Sequence, residues 1–230
     1  MKDNSSSAAL AENRRQLKFI TQNLEATYGV PRNDSHDDPL DELIATILSQ
    51  STSNINSHRA FASLKARFPD WELARQGRLS SIAAAIKSGG LANVKSVVIK
   101  NLLNEILARH GNLDLSFLKT SPIGEARDFL LSLKGVGPKT AACVLLFSCK
   151  LPVFPMDTHI FRILRRVGLL PEKISDEVAH QRIEMLIPPK KHYSLHINLI
   201  THGRRICHPR NPKCAQCPLI EYCNFGQTMV

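Results

Sequence analysis

The chain has no run of about eighteen or more consecutive apolar residues, so no simple membrane-spanning helix is expected. Its first residues, MKDNSSSAAL, lack the apolar stretch a secretory leader requires. They read as a polar, serine-rich disordered tail. The expected location is therefore cytoplasmic (associated with the nucleoid if the source is bacterial), or nuclear in a eukaryote. Six cysteines in such a compartment are free or metal-bound rather than disulfide-paired. Alternating strand patterns bounded by hairpin turns are also lacking, which argues against sheet structure. No helix-pair period recurs at fixed length, which argues against a solenoid. Acidic residues are few: 20 Asp and Glu stand against 30 Lys and Arg, a formal charge of +10. That surplus points to a polyanion partner, nucleic acid first. Charge alone is equally compatible with an inert basic surface.

What is present is helical periodicity over 230 residues, enough for one large domain or two small ones. Leu40, Leu43, Ile44, Ile47 and Leu48 recur at one-face spacing. Asp38 before Pro39 reads as an N-cap followed by proline at the first helical position. A second helix is expected over 10–28, with Leu17, Ile20 and Leu24 inward. Similar patterns predict helices at 57–67, 79–87, 93–110, 124–133, 138–149, 158–167, 175–185 and 191–205. The fold class is all-α. Only the stretch from 207 to 223 departs, with cysteine, proline and charge replacing periodicity.

Cys207, Cys214, Cys217 and Cys223 are separated by six, two and five residues. Four thiols so close together in a reducing compartment indicate a metal site. Thiolates suit both zinc and iron–sulfur clusters, and spacing alone does not choose. A segment with so few apolar residues needs such a staple to fold. Arg205 beside the first cysteine loop and Lys213 inside it are candidate phosphate contacts, or an ordinary solvated charge run. Cys143 and Cys149 sit in an apolar stretch and read as small buried hydrophobes.

The segment LKGVGPKT, residues 133–140, joins two expected helices. Gly135 and Gly137 suit backbone positions that other residues reach with strain, and Val136 between them points inward. Successive N–H groups beside a helix N-terminus form an anion site able to hold a phosphate. Lys139 falls in the first turn of the second helix, where the partial positive charge disfavours it. That field, with partial burial, would favour the neutral, nucleophilic amine, which can form a Schiff base. Eighteen residues on, Asp157 precedes another apolar helical run, a pattern an N-cap alone would explain.

These blocks together resemble the endonuclease III family of helix-hairpin-helix DNA glycosylases. The resemblance rests on LKGVGPKTA with DTHIFRI, on HGRRIC leading into the cysteine spacing, and on DELIATILSQST at 41–52. It spans roughly residues 38 to 223. It implies two helical lobes with a DNA cleft between them: a six-helix domain at 31–151, and a cluster domain formed by both termini. Residues 1–30 would pack with the latter, and 152–230 would carry the aspartate helix and a [4Fe–4S] cluster on the four cysteines. It implies a bifunctional glycosylase and apurinic lyase in base excision repair, acting as a monomer on double-stranded DNA with damaged bases or abasic sites. Lys139 would attack the sugar C1′, and Asp157 would activate the nucleophile and stabilise the cationic sugar. Gln50 would fill the space left by a flipped nucleotide, and Leu91 would wedge into the stack, as base extrusion requires. As a plain leucine, Leu91 would instead be core.

The chain departs from the family pattern at Leu48, Ser53 and Ala92, where serine, aspartate and tyrosine are common. These departures bear on the oxidised-pyrimidine range, not on the lyase chemistry. Three other readings are a monofunctional glycosylase, a non-catalytic DNA-binding module, and zinc at the cysteines. The first lacks the hairpin lysine that this chain has. The second leaves Lys139 with Asp157 unexplained.

Overall fold

The computed structural model describes residues 3–33 and 37–230, with side chains from residue 8 onward in the first segment. Twelve α-helices follow one another among the described residues, with short 3-10 turns and no strand. They are α1 (Asp3–Tyr28), α2 (Pro39–Ser49), α3 (Asn54–Arg67), α4 (Trp71–Gln76), α5 (Leu79–Ala85) and α6 (Ala92–His110). Then come α7 (Ile123–Ser132), α8 (Pro138–Phe147), α9 (Thr158–Arg166), α10 (Asp176–Glu184), α11 (His192–Arg205) and α12 (Asn224–Gln227). No helix among the described residues is long and apolar enough to cross a membrane.

The expected disordered tail needs correcting. Helix α1 starts at Asp3, and only the first two residues of that stretch lie outside the described ones. Leu17, Ile20 and Leu24 are at most 1% exposed and anchor the helix. Extending an anchored helix through the alanine-rich segment costs little once it is nucleated. Helices α4 and α12, six and four residues long, have no counterpart in the sequence reading. They are too short to show a period. The Asp70 carboxylate starts α4 by accepting the Leu73 N–H at 2.8 Å.

The chain divides into two compact units, Ser35–Leu151 and Met1–Asp34 with Pro152–Val230. In the first, α2 packs on α8 and α3, α5 on α6, and α7 on α8. Asp38 caps α2, its carboxylate accepting the Leu40 N–H at 2.7 Å, and Pro39 opens the helix as expected. The five periodic residues of α2 are all buried. In the second unit α1 packs on α11 and α11 on α9. Its core joins Leu17, Ile20 and Leu24 to Ile160, Ile163, Leu164, Leu195 and Leu199. Each fully buried Leu or Ile contributes about 1.5–3 kcal/mol, so these faces set where the helix ends point.

Candidate functional site

Helices α7 and α8 are joined by the turn Leu133–Gly137. Gly135 has φ +90°, a left-handed conformation that an L side chain reaches only with strain. Val136 is buried, as expected, and its N–H donates to the Leu133 carbonyl at 3.1 Å. Gly137 differs from expectation. Its φ of −96° is open to any residue, and a Cβ there would meet nothing within 4 Å. The protein itself therefore does not require glycine at 137. Gly137 is the N-cap of α8, and its carbonyl accepts the Ala141 N–H at 3.0 Å. Proline at the first position leaves the next amides of the helix, at Lys139 and Thr140, without intrahelical partners. Lys139 is half-buried in this first turn.

Gln50, exposed at the C-terminus of α2, comes to the same place. Its Nε2 lies 3.5 Å from Thr140 Oγ1, one residue beyond Lys139. The packing of α2 on α8 thus joins two blocks separated by 90 residues in sequence. Leu91 is 62% exposed, with φ +49°, immediately before α6. It is not a core leucine. A large apolar side chain held outward on a strained backbone is a functional signal.

The positions that depart from the family pattern have local roles. Leu48 is fully buried, so its side chain belongs to the core rather than to an exposed pocket. Ser53 caps α3, its hydroxyl accepting the Asn56 N–H at 3.4 Å. Serine serves an N-cap about as well as aspartate. Ala92 opens α6 and is half-buried.

Asp157, in the other unit, is the N-cap of α9. Its Oδ1 accepts the Ile160 N–H at 2.8 Å, and the side chain stays partly exposed. One carboxylate oxygen thus fixes the side chain at the helix start, where negative charge is favoured.

The four cysteines of the terminal segment line one small, partly open cavity of about 20 Å³. Ile206, Ile220 and Phe225 contribute apolar walls. The thiols surround this space rather than meet at a point. Among the described residues no group of three or more His, Cys, Asp or Glu is placed to hold a single metal ion. A lone zinc would need its sulfurs at roughly 2.3 Å from one centre. A cluster with one thiolate at each iron fits the observed arrangement better. Burial pushes the Cys217 thiol up to about 11, so only a bound cation would make it a thiolate.

A dense set of donors surrounds this cavity. Arg166 Nη1 lies 3.2 Å from Cys207 Sγ and 2.7 Å from the His208 carbonyl, and its guanidinium stacks over Phe225. Arg162 donates to the Cys207 and Gly203 carbonyls. His202 is 1% exposed, and burial, then the nearby Arg162 charge, lowers its pKa to about 4. The ring is therefore neutral. Its Nε2 lies 3.5 Å from Cys217 Sγ, and its Nδ1 lies 3.0 Å from the Tyr28 hydroxyl. With Cys217 as thiolate, Nε2 carries the proton and Tyr28 donates to Nδ1. Arg205 is exposed and lies over the Tyr28 ring, 5.8 Å from its centre. Lys213 is exposed, and its backbone N–H donates to the Ile206 carbonyl. Cys143 and Cys149 are buried, as expected.

Sequence reasoning missed Tyr28, Arg162, Arg166 and His202, whose importance follows only from the fold. It also missed Lys95, for which a signal existed. Lys95 lies on the face of α6 defined by Ile99, Leu102, Leu103 and Ile106, and it is 4% exposed. A lysine in register with an apolar stripe needs buried acceptors.

Comparison with known proteins agrees with this geometry. Residues 44–189 match the HhH-GPD superfamily base excision DNA repair protein model. Residues 207–223 match the iron–sulfur binding domain of endonuclease III, and the cofactor is a [4Fe–4S] cluster. A putative DNA glycosylase of Arabidopsis thaliana is 42% identical over 168 residues, covering 73% of this chain. This chain spans 57% of that protein's length. Endonuclease III of Sulfolobus acidocaldarius is 31% identical over 185 residues, 80% of each chain. The fold superposes on an endonuclease III in a non-covalent DNA complex with a TM-score of 0.80 at 24% identity. That match covers 94% of this chain and 97% of the other. On these grounds the chain belongs to the HhH-GPD superfamily of base excision DNA repair proteins and, within it, to the endonuclease III family.

Proposed function

We propose that this chain is a DNA glycosylase with apurinic/apyrimidinic lyase activity on damaged double-stranded DNA, oxidised pyrimidines being the first substrates to test. The observation that carries this reading is Lys139. It is half-buried in the first turn of α8, two residues after Gly137 of the exposed glycine turn. The turn and helix N-terminus bind a phosphate and set the register of the DNA without reading its sequence. The unprotonated Lys139 amine attacks C1′ of the sugar, the N-glycosidic bond breaks, and the base leaves with its bonding electrons and takes a proton. Loss of the amine proton and opening of the sugar ring give the Schiff base. Removal of a C2′ proton then breaks the C3′–O bond and cuts the strand on the 3′ side of the lesion. The Asp157 carboxylate helps remove the amine proton and stabilises positive charge developing on the sugar.

Cys207, Cys214, Cys217 and Cys223 hold the cluster in this reading. When bound, the cluster supplies four iron–thiolate bonds that cross-link the terminal segment, a structural chemistry. Arg205 and Lys213 contact backbone phosphates beside it.

A panel of duplexes, each with a single lesion, tests this reading when base release is scored separately from strand cleavage. Release and cleavage together, both lost in Lys139→Gln, are expected. Base release without cleavage would make the chain a monofunctional glycosylase. Binding with neither would make it a DNA-binding module.

A further inference from the structure

Lys95 is the most unusual side chain outside the residues given catalytic roles. Its ammonium is buried, and no acidic partner among the described residues contributes to its environment. Three neutral acceptors take its three donors: the Leu48 carbonyl at 2.8 Å, Thr52 Oγ1 at 2.9 Å and the Gly89 carbonyl at 2.8 Å. Thr52 closes the network, its hydroxyl donating to the Gly89 carbonyl. An ammonium has no further donor, so the cage is saturated.

The acceptors come from two separate segments, the end of α2 with the loop that follows it and the 3-10 turn before α6. Leu48 and Thr52 bracket Gln50. Gly89 precedes Leu91 by two residues. Each loop holds a non-glycine residue in the left-handed region, Ser51 at φ +53° and Leu91 at φ +49°. Such backbone persists only where its surroundings over-determine it. Packing allows little slack, since a Cβ at Gly89 would come within 3.0 Å of Ala60 Cβ.

We propose that Lys95 is a positioning residue that fastens the Gln50 loop and the Leu91 loop into one rigid element, so that glutamine and leucine enter the base stack together. This rests on the reading that the two loops act on DNA. A buried charge without a carboxylate also places positive potential beneath the surface that would meet the phosphates.

Lys95→Met keeps the aliphatic stem and removes the three donors. Its cleavage of a duplex with one abasic site, under single-turnover conditions, should fall about ten- to a hundred-fold, because insertion geometry is lost. Cleavage of the single-stranded abasic oligonucleotide should fall much less. The fluorescence rise of 2-aminopurine beside the abasic site in the duplex should fall with the duplex rate. A parental ratio of duplex to single-strand cleavage would overturn the proposal. So would an equal fall on both substrates, the mark of a residue needed only for folding. If Lys95→Met does not fold, Thr52→Val carries the test, with the same pattern expected at smaller size and a parental ratio again overturning it. Leu91→Ala and Gln50→Ala separate the two levels. If both process the duplex at the parental rate, the reading of the loops fails. If they slow it and Lys95→Met does not, only the clamp fails.

Discussion

The cysteine segment and the hairpin turn are built on opposite plans. Around the cysteines, side chains turn inward: Arg162, Arg166 and His202 all reach cysteine sulfurs or the carbonyls beside them. At the hairpin the useful groups are backbone amides and one lysine at the mouth of a helix, and the turn is left exposed. A region that saturates its own donors around a cavity is made to retain a bound group. A region that leaves helix-start amides open is made to meet something from outside. The contrast assigns structure to the first and chemistry to the second.

The largest effect expected from this contrast is at the cysteines. Cys214→Ser should lose the visible absorbance of the iron–sulfur chromophore and make residues 207–223 sensitive to protease. The α1, α9 and α11 core should keep its helical circular dichroism. A colourless, zinc-loaded parent protein would contradict the cluster assignment.

The next effect concerns buried charge in the hairpin unit. Burial pushes the Glu42 carboxyl up to about 7 from 4.5, against the opposing Thr46 hydrogen bond and Lys150 charge. Between these pH values the folded state holds a proton that the unfolded state has released. Stability therefore falls as pH rises through that window. Glu42→Gln should flatten this dependence. Its Tm at pH 8, relative to pH 5, should exceed the parent's by several degrees, at about 2–4 °C per kcal/mol. An unchanged difference would show that Glu42 ionises freely in the fold.

The smallest effects sharpen the comparison within the hairpin. Gly135→Ala forces a side chain into φ +90° and to 3.4 Å from Val98 Cγ1, and should cost about 1–2 kcal/mol by denaturant titration. Gly137→Ala has room and an ordinary φ, so stability should change by less than about 0.5 kcal/mol. Its affinity for duplex DNA should nevertheless fall if the turn holds a phosphate as proposed, because the added methyl projects into open space there. Equal stability losses in both variants would mean that the turn is purely structural.

Much of the fold was legible because helices of seven or more residues write their period into the chain. The α2 stripe and the Asp38 cap are found as read, whereas α4 and α12 were too short to carry a period. The cysteine segment stands out by its spacing, although spacing does not choose between zinc and an iron–sulfur cluster. Gly137 was read by the same rule as Gly135, but φ distinguishes them and the letters do not. Leu48, read both as part of the buried α2 stripe and as a departure from the family pattern, is buried as the stripe requires. The pairing of Gln50 with Thr140 and the Lys95 cage depend on helix packing across tens of residues, which no local pattern encodes.

The central claim is that Lys139 is the nucleophile. Borohydride reduction in the presence of a duplex bearing one abasic site, followed by peptide mapping of the adduct, tests it directly. The account predicts a covalent protein–DNA species with the sugar remnant on Lys139, absent from Lys139→Gln. An adduct mapped to another amine, or trapping and cleavage undiminished in Lys139→Gln, would contradict it.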